Sequence, residues 1–137
     1  VARLLRSRGH EVWTPTLTGS GERAHLLQAD LTIETGMEDV LGGLAAEELT
    51  DVVLVGHSSG AVVVTGVADR ARERIRALIY LDGLIAQDGE SLATYFTPLQ
   101  LAAYEAAVAQ RAASFPPPPA ALFSVPDGPD AEWVIEG

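Results

Sequence analysis

Asp51-Val52-Val53-Leu54-Val55-Gly56-His57-Ser58-Ser59-Gly60 is the stretch from which the rest of the chain can be ordered. After Asp51 it opens on four aliphatic residues, three of them β-branched, the pattern of a strand covered on both faces of a parallel sheet. The segment from Ser59 to Arg70 is apolar almost all round and reads as a buried helix. A second apolar run, Ala77-Leu78-Ile79-Tyr80-Leu81, reads as another strand covered on both faces. Strand, helix and strand of these lengths form a parallel crossover unit, so the fold class is α/β.

The turn inside that unit carries the chemistry. Gly56-His57-Ser58-Ser59-Gly60 satisfies the pattern G-x-S-x-G and sits between a strand and a helix, which is the context the pattern requires. A turn this sharp forces its serine into a strained backbone conformation and lifts the hydroxyl clear of the sheet. Glycines two before and two after let the neighbouring backbones approach. Ser58 is therefore the candidate nucleophile. The backbone N–H of Ser59, at the start of a helix, is the candidate oxyanion donor. A serine also needs a base to take its proton. The histidines are His10, His25 and His57, and none follows Ser58. His57 reads as a packed or hydrogen-bonded structural residue, His10 as a surface residue, and His25 as a residue of a glycine loop that could line a pocket. Asp82, at the end of the second strand, is either an acid near the site or the cap of a turn.

Working outward, Val1, Leu4 and Leu5 share a helical face and Gly9 is placed as a stop, but nothing caps that helix in front. Glu11 to Leu17 reads as a short strand ended by Pro15, and Thr18 to Arg23 as a loop. Thr35 and Glu38 have capping-box spacing, and Met37, Val40, Leu41, Leu44 and Ala45 then repeat on one helical face. Gly42 and Gly43 either weaken that helix or allow close backbone approach. Arg70, Arg72, Arg74 and Arg76 form a basic run near a helix end, explained by the helix dipole and nearby acids. Gly19-Ser20-Gly21-Glu22-Arg23-Ala24 meets a dinucleotide fingerprint formally, without the strand before or the helix after that would make it one. Leu99 to Ala113 reads as an alanine-rich helix, followed by the stiff run Pro116 to Pro119, a connector, and a loose tail ending at Trp133.

Composition sets the bounds. At 137 residues and 47% hydrophobic content the chain suits one domain with a core. With 19 acidic against 9 basic residues, its net charge of −10 argues against a nucleic-acid partner. Zero cysteines exclude disulfides, thiolate metal sites and a cysteine nucleophile, and fit a reducing, cytoplasmic setting. No apolar stretch approaches the roughly 20 residues needed to span a bilayer. No cofactor and no metal site is expected.

These residues together resemble the α/β-hydrolase superfamily, in the branch that holds bacterial carboxylesterases, plant methylesterases and hydroxynitrile lyases. The resemblance rests on Arg8-Gly9-His10-Glu11-Val12, Thr16 to Arg23, Asp51 to Gly60 and Tyr80-Leu81-Asp82-Gly83. It implies a central fragment of the fold: residues 1–91 as a partial core and 92–137 as the start of a helical lid. The first strands, the second oxyanion donor, the acid and the histidine would lie outside the chain. The strand before Val1 would sit between Glu11–Leu17 and Asp51–Val55, so the isolated chain is expected to be marginally stable. The implied activity is hydrolysis of a small, apolar ester through an acyl-enzyme at Ser58. The alternatives are a hydroxynitrile-lyase-like enzyme on the same elbow, or a non-catalytic binding module.

Overall fold

The computed structural model describes residues 1–114, 124–129, 131 and 132. The run Pro116 to Pro119 and Trp133 lie outside the described residues. Residues 1–27 and 31–85 make one compact unit, and residues 28–30 group with the described part of 86–137 in a second.

The first unit opens with helix α1 (Ala2–Ser7), which no side chain caps. Gly9 stops it as expected: with φ at +85°, its N–H reaches the Arg6 carbonyl while the His10 N–H reaches Leu5. Leu4 and Leu5 of α1 are exposed, so the apolar side of this helix is uncovered. The expected strand at Glu11–Leu17 does not form among the described residues: a strand exists only through a partner, and this segment pairs with neither strand of the unit, Val52–His57 or Ile75–Leu81. The Arg6 guanidinium donates to the Val12 carbonyl instead.

The N-cap of helix α2 (Ile33–Ala46) falls three residues before the expected Thr35. Thr32 is its N-cap and pairs reciprocally with Thr35, whose Oγ1 accepts the Thr32 N–H at 3.5 Å. The earlier start brings Ile33 into the helix, packed against the core. Strand β1 (Val52–His57), helix α3 (Gly60–Arg70) and strand β2 (Ile75–Leu81) complete the crossover. The two strands are parallel, in register from Val53 opposite Ala77 to His57 opposite Leu81.

The core lies between α2, α3 and one face of the pair. Val40, Leu44, Val63, Val67 and Ala71 are buried, with Leu17, Met37, Val52, Leu54 and Ile75 packed around them. Each fully buried valine of this kind contributes about 1.5–3 kcal/mol relative to exposure. The helices meet closely where Gly66 faces Met37 and Gly36 faces Val63. A Cβ on Gly66 would lie 2.4 Å from Met37 Sδ, whereas Gly42 and Gly43 have open space around them. Close approach therefore belongs to Gly36 and Gly66, and the tandem glycines play no part in it.

The expectation that both strands are covered on both faces is corrected. Leu54 is half-buried and Gly56 buried on the α3 side, but Val53, Val55, Ile79 and Leu81 on the other are 38–54% exposed. An apolar run records what a strand can bury, and no described element of this unit packs on that second face.

The arginines anchor α3 and its exit. Arg70 pairs with Glu34 and Glu38 of α2, Arg74 donates to the Leu44 and Leu49 carbonyls, and Arg76 lies 3.7 Å from Asp51.

In the second unit, α4 (Pro98–Ala109) starts from a complete capping box, with Gln100 N–H donating to Thr97 Oγ1 and Thr97 N–H to Gln100 Oε1. Pro98 sits where its missing N–H costs nothing. The helix ends four residues before the expected Ala113. No described helix is long and apolar enough to cross a membrane.

Candidate functional site: a strained serine at the end of β1

The chain leaves β1 at His57 and enters α3 at Gly60, so only Ser58 and Ser59 are available to reverse it. Ser58 absorbs the turn with φ at +52°, a left-handed conformation that L-residues other than Gly, Asn and Asp rarely adopt. Such strain persists only where the surroundings hold it. Here the backbone does so on both sides: the Ser58 N–H donates to the Leu81 carbonyl at 3.4 Å, and the Ser58 carbonyl accepts from Ala61 at 3.1 Å and Leu84 at 3.1 Å. The side chain of Ser58 is exposed.

Gly56 explains why the turn can be this tight. A Cβ there would lie 2.4 Å from Val64 Cγ2 and 2.7 Å from Ala61 Cα. Gly60 is different, because nothing lies within 4 Å of the position its Cβ would take. The two glycines of the pattern are thus unequal: the first is required sterically, the second is not. Gly83, which the pattern does not include, is also required, since its Cβ would meet Ala61 Cβ at 2.6 Å.

Ser59 is the N-cap of α3, in a right-handed conformation. Its N–H donates to no acceptor among the described residues, while Val62 N–H donates to the Ser59 carbonyl at 3.2 Å. An unengaged amide at the positive end of an eleven-residue helix can receive developing negative charge.

The histidines do not assemble with Ser58. His57 is exposed on the sheet face turned from α3, so the expectation that it is packed or hydrogen-bonded is corrected: strand alternation puts it on the uncovered side. His10 is exposed, and His25 is exposed within a short 3-10 turn, Gly21–Leu26. Asp82 follows β2 with φ at +45° and an exposed side chain. No group of acidic or histidine side chains among the described residues could hold a metal ion. An open groove of about 370 Å³ between Thr65, Asp69, Arg72, Ile75 and Leu78 does not include the elbow.

Two arrangements were not visible in the sequence. Asp39 on α2 accepts the Thr18 N–H at 2.6 Å, the Thr18 hydroxyl at 3.0 Å and Arg23 Nη1 at 2.8 Å, clasping the loop 16–23 to the helix. Burial raises the Asp39 carboxyl, but the Thr18 amide, Arg23 and the Thr18 hydroxyl outweigh it and hold the group below its ordinary value. Second, Thr65 donates to the Ala61 carbonyl at 2.7 Å, which leaves Tyr80 to donate to Thr65 Oγ1 at 2.8 Å and tie α3 to β2. The only local hints were a threonine inside a helix and a tyrosine inside an apolar strand.

Residues 1–136 match the alpha/beta hydrolase family. A carbendazim hydrolyzing esterase of a Nocardioides strain is 46% identical over 133 residues, covering 90% of this chain and 55% of the esterase. A pyrethroid hydrolase of Sphingobium wenxiniae is 30% identical over 101 residues, covering 72% of this chain and 35% of that enzyme. The chain therefore spans about half the length of the first of these relatives and less of the second. Among solved structures, an extracellular α/β-hydrolase of a Paenibacillus species superposes with a TM-score of 0.85 at 24% identity, over 98% of this chain and 57% of that one. That protein is described as sharing structural and functional homology with tobacco salicylic acid binding protein 2. Family match, superposed fold and the strained serine agree: the chain belongs to the α/β-hydrolase family.

Proposed function

We propose that the natural polypeptide carrying this chain is a serine esterase acting on small, uncharged esters. The observation that carries the reading is Ser58 held at φ +52° beside the unengaged N–H of Ser59. In the reaction, Ser58 Oγ forms a bond to the ester carbonyl carbon as a base takes its proton. The oxyanion is met by the Ser59 N–H, and the α3 dipole favours it. The carbonyl then re-forms, the alcohol leaves with the proton returned to it, and water releases the acid from Ser58 by the same steps. The relatives named as an esterase and a hydrolase support this class of reaction.

His10, His25 and His57 are exposed, and none hydrogen-bonds Ser58. In this reading the base is supplied by the longer polypeptide, and the 137 residues alone are expected to show no useful turnover.

The test is hydrolysis of short acyl esters and an alkyl carbamate by the natural polypeptide and its Ser58→Ala variant, beside cleavage of a cyanohydrin. Ester hydrolysis lost in S58A supports the reading. Cyanohydrin cleavage without ester hydrolysis points to a lyase on the same elbow. Ester hydrolysis that survives S58A contradicts the assignment.

A further inference from the structure

The geometry points to Asp82 as a positioning residue for Ser58, acting through its left-handed backbone and not through its carboxylate. This rests on the reading of Ser58 as nucleophile. Because His57 lies opposite Leu81 in the register, Ser58 and Asp82 are the residues that follow on neighbouring strands. Both are left-handed, at φ +52° and +45°.

Their coupling is through the backbone. Leu81, just before Asp82, accepts the Ser58 N–H, and Leu84, two residues after it, donates to the Ser58 carbonyl. The segment Leu81–Leu84 thus grips both peptide groups of the strained serine. Left-handed Asp82 makes the bend between the two gripping residues. Between them, Gly83 lies against the elbow with no space for a side chain, 2.6 Å separating its virtual Cβ from Ala61 Cβ. The Asp82 side chain is exposed and makes no hydrogen bond or ion pair among the described residues. Aspartate is among the few L-residues that tolerate this conformation, which accounts for its presence without assigning the carboxylate a task.

The experiment compares D82G, D82N, D82A and D82V with the wild type and S58A in the natural polypeptide. It reads kcat, KM and amide exchange at Leu84. Glycine and asparagine accept the backbone conformation and are expected to leave kcat within about twofold and the Leu84 amide protected. Valine opposes it, so D82V is expected to lower kcat about fivefold to thirtyfold at unchanged KM, with faster Leu84 exchange. If D82V does not fold, D82A carries the same comparison with a smaller effect. Loss of activity in D82G and D82N alike overturns the inference, because the carboxylate is then what matters. Full kcat and protection in D82V and D82A overturn it as well. Activity surviving S58A overturns the nucleophile reading and with it this role of Asp82, whereas an inactive S58A beside a fully active D82V isolates the failure to the present inference.

Discussion

The two glycines flanking the elbow offer a comparison in which one substitution should act with opposite signs. A methyl group on Gly56 would lie 2.4 Å from Val64 Cγ2, 2.7 Å from Ala61 Cα and 2.9 Å from the Gly60 carbonyl oxygen. Two of these three atoms are backbone, so rotating a side chain cannot relieve the overlap. β1 and the first turn of α3 would have to separate. Overpacking of this kind costs about 1–3 kcal/mol, and the backbone contacts put Gly56→Ala near the upper end, at about 3 kcal/mol. Gly60 has nothing within 4 Å of its virtual Cβ, and it lies in the first turn of α3 without a positive φ. Gly60→Ala is therefore expected to stabilise by about 0.5 kcal/mol, through fewer unfolded conformations and better helix propensity. Urea denaturation followed by circular dichroism measures both. With a slope of roughly 1–3 kcal/mol per molar urea, the gap of about 3.5 kcal/mol should separate the midpoints by about 1–3.5 M, G60A being the higher. Equal midpoints, or G60A below G56A, would refute the steric account of the elbow.

Three further outcomes are expected. Asp39→Asn removes the charge that holds Thr18 and Arg23 and should cost about 2 kcal/mol near neutral pH, read as a lower urea midpoint. Since the Asp39 carboxyl is held below its ordinary value, its contribution is present above the unfolded value of about 3.9 and fades as pH falls through the folded value. The gap between wild type and D39N should accordingly close in acid, and a gap that widens there contradicts the clasp. Tyr80→Phe removes the hydroxyl that donates to Thr65 and should cost about 1 kcal/mol, measured by thermal unfolding; no change would mean that the bond does not tie α3 to β2. The 137 residues produced alone should self-associate through Val53, Val55, Ile79 and Leu81, and V55S with I79S should reduce that association in sedimentation velocity. A monomer in which the amides of Val52 to Val55 exchange slowly would contradict that expectation.

The parts of the fold that could be read in advance are those encoded over a few consecutive residues. Gly56 to Gly60 between two apolar runs specifies the elbow, and the parallel crossover follows from run lengths and chirality. Gly9 announced the end of α1 through a requirement of its own backbone. The errors share a cause, which is that each feature depends on contacts beyond its own few residues. Glu11–Leu17 has strand composition, but composition does not supply a neighbour to pair with. Val53 and Val55 have the side chains of a doubly covered strand, but whether the second face is covered is not written in them. Thr32 and Thr35 offer the same spacing as Thr35 and Glu38, and the earlier cap wins where Ile33 gains the core as neighbour. Gly36 and Gly66 look no different from Gly42 and Gly43 until the two helices are placed together. Asp39 gave no signal, since its partners are 16 and 21 residues away. At the site, Ser58 and Ser59 were legible, whereas the grip of Leu81 and Leu84 on Ser58 depends on a register that only the folded chain defines.

A fluorophosphonate, which phosphonylates activated serines with loss of fluoride, applied to the natural polypeptide and followed by peptide mass spectrometry, would report most directly on whether Ser58 is the working nucleophile. The account predicts rapid, stoichiometric labelling on the peptide that contains Ser58, abolished by S58A and by prior unfolding. Labelling of a different serine, or ester hydrolysis that continues at full rate with Ser58 unlabelled, would contradict it.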